Sequence, residues 1–256
     1  MFSGWVEVIS KGLDYIFLPF EFPLHFGRIV EWTISQRSLP RELIRLKNHA
    51  LWFRTKSFQT ILDVGANTGP FAFAIRTLLP AAQIYAFEPL PDCHRRLEKN
   101  LSPLGNFHAF QSAVGNQKGE IEMWESEFSE SSSVLAMGDL HKKTFPHTAR
   151  TNSIKVPIAR LDDFISSIQL IPPVLLKIDV QGYEDHVFRG ADKVLKSVDC
   201  IISEISFQPL YEGQALFGEI YQLMDDMGFH FAGFMDSLIS LKDGSILQSD
   251  GIFYRK

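Results

Sequence analysis

The sequence predicts an α/β fold: a mostly parallel sheet with helices on both faces, preceded by an N-terminal helical cap. From residue 60 onward, short apolar runs with strand character alternate with runs of helical periodicity, which favours parallel strands joined by helices. Three apolar runs end in an acidic residue, at Glu88, Asp179 and Glu204, and ligands bind at this edge of such sheets. Residues 1–57 have helical periodicity, so we assign them to the cap and residues 58–256 to the main domain.

The cap is predicted to contain helices on both sides of a proline break, and a further helix that starts near Pro40. Arg41, Arg45 and Lys47 line the polar side of that last helix. A substrate lid, an element in peripheral contact with a membrane, and a plain packing subdomain are the alternatives for the cap, and packing is the simplest.

Composition is typical of a globular protein with a sizeable core, at 256 residues, 45% hydrophobic and 21% charged. A formal net charge of -5 gives no general attraction for phosphate backbones, so no nucleic-acid partner is expected. Cys93 and Cys200 form no paired metal motif, and we expect reduced thiols in a cytoplasmic protein. The apolar run at residues 15–26 is interrupted by two prolines and a glutamate, so neither a transmembrane segment nor a secretion signal is predicted.

The first motif is a strand, a glycine turn and a helix at residues 60–79. Gly65 and Gly69 allow backbone torsions and close approaches that a side chain would block, and Pro70 suits the first helical position. A helix amino terminus favours an electron-rich group, and Asp63 at the strand end can accept a hydrogen bond from a ligand amine or hydroxyl. The motif therefore predicts a nucleotide site.

The next two strands, at residues 83–87 and 107–111, add candidates for that site. Glu88 follows the first of them at the spacing from the glycine turn that is common for an acid holding ribose hydroxyls, the alternative being a helix cap. Ser112 follows the second strand, where it either contacts a base or only forms a turn.

The middle of the chain is less regular. Strands are predicted at residues 119–125 and 154–159, with a long polar loop between them that contains a serine run, His141 and His147. The loop either closes over a polar substrate or is a flexible linker. Neither histidine has a metal-ligand partner at a recognisable spacing, so no zinc site is predicted.

The second motif is a buried strand at residues 174–178 that ends in Asp179, with Gly182 in the next turn and Glu184 one turn into the following helix. An active-site acid is one interpretation of Asp179, and a helix cap is the other. A fifth strand at residues 199–204 ends in Glu204 at the same edge. A helix and a closing strand pair complete the chain.

These motifs resemble those of the FkbM family of S-adenosylmethionine-dependent methyltransferases. The resemblance rests on Asp-Val-Gly-Ala-Asn-Thr-Gly from residue 63, Phe-Glu-Pro from residue 87 and Lys-Ile-Asp-Val-Gln-Gly-Tyr-Glu from residue 177, and it covers residues 61–254. It implies a Rossmann-like, class I methyltransferase fold with a seven-stranded sheet, and methyl transfer to an oxygen, often on a sugar or natural product. Gln181 stands where relatives commonly have an acid.

Cofactor and catalytic residues follow from the resemblance together with the strand ends. The predicted cofactor-binding residues are Asp63, Gly65, Asn67, Gly69, Glu88, Ser112 and Asp179. The predicted catalytic residues are Asp179, Glu184 and Glu204, with Asp179 first and His186 as a lesser candidate. Because the methyl group of S-adenosylmethionine is already activated, the protein mainly has to align an acceptor hydroxyl and remove its proton.

Several alternatives remain open at this point. The alternative roles for Asp179 and Glu204 are to orient the cofactor or to hold a divalent ion, and our first expectation is that there is no metal site. A nicotinamide-dependent oxidoreductase is disfavoured because its usual fingerprint has a third glycine, and a catalytically silent S-adenosylmethionine-binding scaffold is the other alternative. The acceptor is expected to be a saccharide, a lipid or another small molecule.

Overall fold

The structure is a computed structural model that describes residues 41–240 and 242–256. Most of the predicted cap, residues 1–40, lies outside the described residues. The part of the cap that is described forms two short helices, α1 (Arg41–Lys47) and α2 (Ala50–Lys56), so the helix expected near Pro40 is confirmed. The division of the chain at residue 57 stays a prediction.

The main domain alternates strands and helices as expected. Its strands are β1 (Thr60–Val64), β2 (Gln83–Phe87), β3 (Phe107–Phe110), β4 (Ala113–Val114), β5 (Gly119–Ser126), β6 (Thr151–Ala159), β7 (Val174–Ile178), β8 (Cys200–Ser206), β9 (Phe229–Ile239) and β10 (Ile246–Arg255). Its α-helices are α3 (Pro70–Leu78), α4 (Pro91–Leu101), α5 (Asp139–Thr144), α6 (Glu184–Arg189), α7 (Asp192–Leu195) and α8 (Phe217–Asp226).

Seven of the strands form one sheet in the order β3-β2-β1-β7-β8-β10-β9. The first five run parallel, and β10 is antiparallel to both β8 and β9. The predicted seven-stranded, mostly parallel sheet is therefore confirmed. Strand order reverses beside β1, so the carboxyl ends of β1 and β7 form the crevice in which such sheets bind ligands.

Successive side chains along β1 point to opposite faces of this sheet. In β1, Ile61 packs into a core cluster with helices α1 to α4, whereas Leu62 and Val64 pack into a second cluster with α6, α7 and α8. All three side chains are fully or almost fully buried. The period of two in a strand thus places helices on both faces, as predicted.

A smaller sheet accounts for the irregular middle of the chain. It has the order β4-β6-β5, with β5 and β6 antiparallel over eight register pairs. The pairing of β5 with β6 matches the prediction. The two-residue strand β4 and the six-residue helix α5 were not predicted, because neither is long enough to give a periodic signal.

The turn between α6 and α7 packs tightly against the small sheet. A Cβ atom at Gly190 would lie 1.9 Å from the carbonyl oxygen of Gly115, which directly follows β4. This approach brings backbone against backbone, so neither side can yield by rotating a side chain. Only glycine fits at residue 190 without displacing the chain.

We expect the substitution Gly190→Ala to lower the free energy of unfolding by about 1–3 kcal/mol, since the added methyl group overpacks a backbone contact. The matched control is Gly218→Ala in α8, where a Cβ meets no atom within 4 Å. There, alanine should be neutral or should stabilise the helix by up to about 1 kcal/mol. Urea unfolding followed by circular dichroism measures both, and equal stabilities for the two variants would contradict the packing argument.

Candidate active site

The carboxyl ends of β1, β2, β7 and β8 open into one cavity of about 780 Å³. The predicted site residues that line it are Asp63, Gly65, Asn67, Glu88, Ser112, Asp179 and Glu204. Two predicted residues do not belong to the lining. A Cβ at Gly69, the residue before α3, would press on the Leu101 and Leu97 side chains, and Glu184 is bound to a neighbouring loop.

Gly65 brings the loop after β1 against the loop after β7. Its φ of 82° lies in the left-handed region, and a Cβ there would lie 1.8 Å from the backbone oxygen of Asp179. The amide of Asp179 in turn donates to the carbonyl of Val64 at 3.0 Å. A glycine at residue 65 is therefore required for the two predicted motifs to meet.

Asp63 presents an unpaired carboxylate oxygen. Its side chain is buried, it lines the cavity, and Oδ2 has no hydrogen-bond partner among the described residues. Burial raises the pKa of Asp63 to about 7, although the ammonium of Lys177 acts to lower it. A buried acceptor without a donor is costly, so a ligand that brings a donor or a positive charge gains by binding here.

Glu88 holds the glycine turn from the neighbouring strand. Its Oε2 accepts the amide of Asn67 at 2.8 Å, and its Oε1 accepts the amide of Leu90 at 2.8 Å. Burial raises the pKa of Glu88 to about 7 against the effect of these two hydrogen bonds. Each carboxylate oxygen can still accept a second donor, which leaves room for the predicted ribose contact.

Asn67 and Ser112 complete the cofactor side of the cavity. Asn67 has a φ of 50° and donates through Nδ2 to Ser129 Oγ at 3.1 Å, a contact to the middle loop. Ser112 Oγ donates to the carbonyl of Ala113 at 2.8 Å, which is ordinary turn chemistry. A base contact by Ser112 stays a prediction.

Lys177 and Gln181 fix the carboxylate of Asp179 from both sides. Lys177 Nζ lies 3.1 Å from Oδ2, and Gln181 Nε2 donates to Oδ1 at 2.8 Å. Burial acts to raise the pKa of Asp179, but the charge of Lys177 and these hydrogen bonds outweigh it and hold this pKa below its usual value. Asp179 is therefore ionised at neutral pH.

Glu204 shares its amide donor with Asp179. Gln181 Nε2 donates to Glu204 Oε2 at 3.0 Å, and Gln248 Nε2 donates to the same oxygen at 2.8 Å. Burial, together with the nearby charges of Asp179 and Glu184, raises the pKa of Glu204 well above its usual value. The pKa values of Asp179 and Glu204 are therefore shifted in opposite directions, although the same amide group donates to both. Such a difference is typical of paired catalytic carboxyl groups.

Glu184 supports the loop that carries Gln181. Its Oε1 accepts the amides of Val180 and Gly182, each at 3.1 Å, and its side chain is buried. His186 likewise lies outside the cavity lining, where its ring stacks on Tyr183 at 4.0 Å between centroids. A catalytic role for Glu184 stays a prediction, and its contacts are those of a residue that shapes the loop.

Helix α1 and strand β10 contribute residues that the sequence analysis did not assign to the site. Arg45 lines the cavity and donates to Asp250 at 2.6 Å, while Asp250 also lies 3.8 Å from Lys177 Nζ. A lysine within the apolar run of β7 was the available signal, because a buried ammonium needs carboxylate partners. The positions of Arg45 and Asp250 beside this lysine could not be predicted, because they lie on elements that are distant from β7 in the sequence.

The middle loop closes one side of the cavity. Ser129 contacts Asn67, Ser133 Oγ donates to the carbonyl of Gln181 at 2.7 Å, and the Tyr211 hydroxyl lies 3.3 Å from the carbonyl of Ser131. The loop is therefore bound to both predicted motifs, which favours the substrate-covering interpretation over a linker.

Residues 41–240 and 242–256 contain no group of three or more His, Cys, Asp or Glu side chains placed to hold a metal ion. Within this part of the chain, no helix has the length and apolar character needed to cross a bilayer.

Comparisons with known proteins agree with this geometry. The Methyltransferase FkbM domain matches residues 63–231. 2-O-methyltransferase NoeI of Sinorhizobium fredii is 30% identical over 192 residues, covering 72% of this chain and 79% of the relative. Hexuronic acid methyltransferase AglP of Haloferax volcanii is 28% identical over 175 residues, covering 68% and 65% respectively.

The match of the FkbM domain extends over both motifs, the middle loop and most of the sheet. It favours the methyltransferase interpretation over the nicotinamide-dependent alternative, and the cofactor is S-adenosylmethionine. The chain belongs to the FkbM family of S-adenosylmethionine-dependent methyltransferases.

Proposed function

We propose that this methyltransferase transfers a methyl group to a hydroxyl of a sugar-containing small molecule. The observation that carries the proposal is the placement of Asp179 and Glu204 in the wall of the same cavity as Asp63 and Glu88. One pair of acids is available to the donor and the other to an acceptor hydroxyl. The relatives named as a 2-O-methyltransferase and a hexuronic acid methyltransferase support a sugar hydroxyl as the acceptor.

The donor end of the cavity fits S-adenosylmethionine. The unpaired Oδ2 of buried Asp63 would accept the amino group of the donor, and the remaining lone pairs of Glu88 would accept ribose hydroxyls. The close approach at Gly65 holds the turn against the loop that carries Asp179, and Gly65 itself lines the cavity. These residues, with Asn67, would hold the donor.

The acids at the other end would manage the acceptor's proton. S-adenosylmethionine supplies a methyl group that is already activated by its positive sulfur. As the acceptor oxygen forms its bond to that carbon, the hydroxyl proton has to leave, and an ionised carboxylate at hydrogen-bond distance can take it. Asp179 is ionised and oriented by Lys177 and Gln181, so it is the first candidate, with Glu204 the second.

We expect Asp179→Asn to lower kcat for methyl transfer by about 10²–10⁴-fold, the usual contribution of a general base. The affinity for S-adenosylmethionine, measured by calorimetry, should change much less. Turnover is measured with methyl-labelled donor and p-nitrophenyl glycosides of a hexose, a 6-deoxyhexose and a hexuronic acid, with mass spectrometry of the products.

The matched control is Asp192→Asn, an exposed residue at the start of α7. It should leave both turnover and cofactor affinity unchanged. Glu204→Gln tests the second candidate in the same assay. Wild-type turnover in Asp179→Asn together with a large loss in Glu204→Gln would reassign the base to Glu204.

A pH dependence of donor binding follows from the raised pKa of Asp63. Because this pKa is about 7, the carboxyl is mostly protonated at pH 6 and mostly ionised at pH 8. We expect the affinity for S-adenosylhomocysteine, whose amine is positive, to rise by about tenfold between these pH values, in proportion to the ionised fraction.

Methylthioadenosine separates this effect from the titration of Glu88, whose pKa is also about 7. It keeps the adenine and ribose but lacks the amino-acid part, so its affinity should not carry the contribution of Asp63. Asp63→Asn should remove the difference between the two ligands in their pH dependence. Identical pH profiles for both ligands in the wild-type protein would refute the assignment of Asp63 to the amine.

A further inference from the structure

The cavity extends past the cofactor residues to a second group of side chains on the middle loop. This group lies between β5 and β6, on α5, on the turn after α5 and just after β5, and its members are Phe128, His141, Phe145, His147 and Thr148. None of these five residues has a role in the proposed donor binding or proton transfer.

His141 carries a ring nitrogen with no partner. The residue is 4% exposed, and its Nδ1 is buried without a hydrogen-bond partner among the described residues. The other nitrogen, Nε2, lies 3.1 Å from Thr148 Oγ1. The carbonyl of Phe145 lies nearer, 2.8 Å from Thr148 Oγ1, so we assign the single proton of the Thr148 hydroxyl to that hydrogen bond.

The tautomer of His141 follows from this chain of donors. Since the Thr148 hydroxyl has no second proton, His141 Nε2 carries the hydrogen and donates it, and Nδ1 presents a lone pair. Burial, and to a lesser extent the charge of His147, lowers the pKa of His141 to about 4, so the ring is neutral at pH 7. Nδ1 is therefore a buried acceptor that a ligand hydroxyl can satisfy.

Aromatic rings surround this acceptor. The centroid of the His141 ring lies 5.3 Å from that of Phe145 and 5.1 Å from that of Tyr211, both edge-to-face. Phe128, although a large apolar residue, is 51% exposed and lies edge-to-face with His147 at 5.3 Å. A ligand with both hydroxyl groups and apolar C–H faces, as in a pyranose ring, matches such walls.

Tyr211 connects the group to the predicted catalytic acids. Its hydroxyl donates to Gln181 Oε1 at 2.7 Å, and the amide nitrogen of Gln181 donates to both Asp179 and Glu204. The His141 ring thus packs against Tyr211, and Tyr211 in turn holds the side-chain amide of Gln181 that bridges the two acids.

We infer that this group is the acceptor subsite: a hydroxyl of the sugar ring other than the methylated one donates to His141 Nδ1, and the apolar face of the ring packs on Phe128. The inference rests on the proposed function and adds which residues select the acceptor. His141 is a binding residue here and takes no part in moving the proton.

The test compares His141→Phe with His141→Asn in the full chain. Phenylalanine keeps the planar ring but removes both nitrogens, whereas the side-chain amide of asparagine can present an acceptor near the position of Nδ1. We expect His141→Phe to raise the KM for the best p-nitrophenyl glycoside of the panel by about 5–10-fold, the effect of one lost hydrogen bond to a buried group. His141→Asn should recover most of this loss.

Three further measurements test the assignment of His141 to the acceptor subsite. The exposed His108 of β3 gives the matched control His108→Phe, which should change nothing. The dissociation constant for S-adenosylhomocysteine should stay within about twofold of wild type in every variant, since the donor contacts lie elsewhere. Removing the matching hydroxyl from the glycoside should lower affinity for wild type but not for His141→Phe.

The outcomes separate this inference from the proposed function. If the wild-type protein methylates no glycoside of the panel, the sugar-hydroxyl proposal and this subsite both fail. If it does methylate one and His141→Phe has an unchanged KM, the subsite alone is wrong. A parallel loss of glycoside and S-adenosylhomocysteine binding in His141→Phe would also overturn the subsite, because it would assign His141 to folding of the loop.

Discussion

The charge of Lys177 is the interaction on which the rest of the site depends. Its ammonium is 3% exposed in the central strand β7, and a buried ion of this kind costs several kcal/mol unless partners surround it. Asp179 at 3.1 Å and Asp250 at 3.8 Å are those partners. Because Lys177 needs both carboxylates, the loop after β7 and the strand β10 are held next to each other, and the cavity lies where they meet.

The charge of Lys177 does not stabilise all the surrounding carboxylates equally. Asp179 lies close to Lys177 and remains ionised, whereas burial raises the pKa values of Asp63, Glu88 and Glu204. Such a cavity gains when a ligand brings positive charge, because each carboxylate that becomes ionised then has a partner. S-adenosylmethionine carries positive charge on its sulfur and its amine, so donor binding and ionisation of the site are expected to support each other.

Much of the sheet could be predicted from the sequence because its signals are local. The bounds of β2 and β7 match the predicted ranges, since each is a short, mostly apolar run bounded by turn residues. The placement of Glu88, Asp179 and Glu204 at one edge followed from strand direction alone. The common face of Lys177 and Asp179 likewise followed from the period of a strand.

Side-chain contacts between elements that are distant in the chain could not be predicted from the sequence. Gln181 contacts acids from two strands only because its φ of 57° turns the loop back, and no local pattern indicates this conformation. Tyr211 and His141 meet through a loop and a helix too short to predict. Glu184 looked like a further active-site acid, but its bonds to Val180 and Gly182 depend on how the loop folds beneath the neighbouring strands.

The pairing of Lys177 with Asp250 has a consequence for the order in which the protein matures. Asp250 lies in β10, the last of the described strands, and β10 is inserted between β8 and β9. During synthesis the strands that carry Asp63, Glu88 and Asp179 all leave the ribosome before this partner exists. Before β10 pairs with β8, Lys177 has Asp179 but not Asp250 as a partner, so the insertion of β10 completes the central sheet and the charge balance of the site in one step.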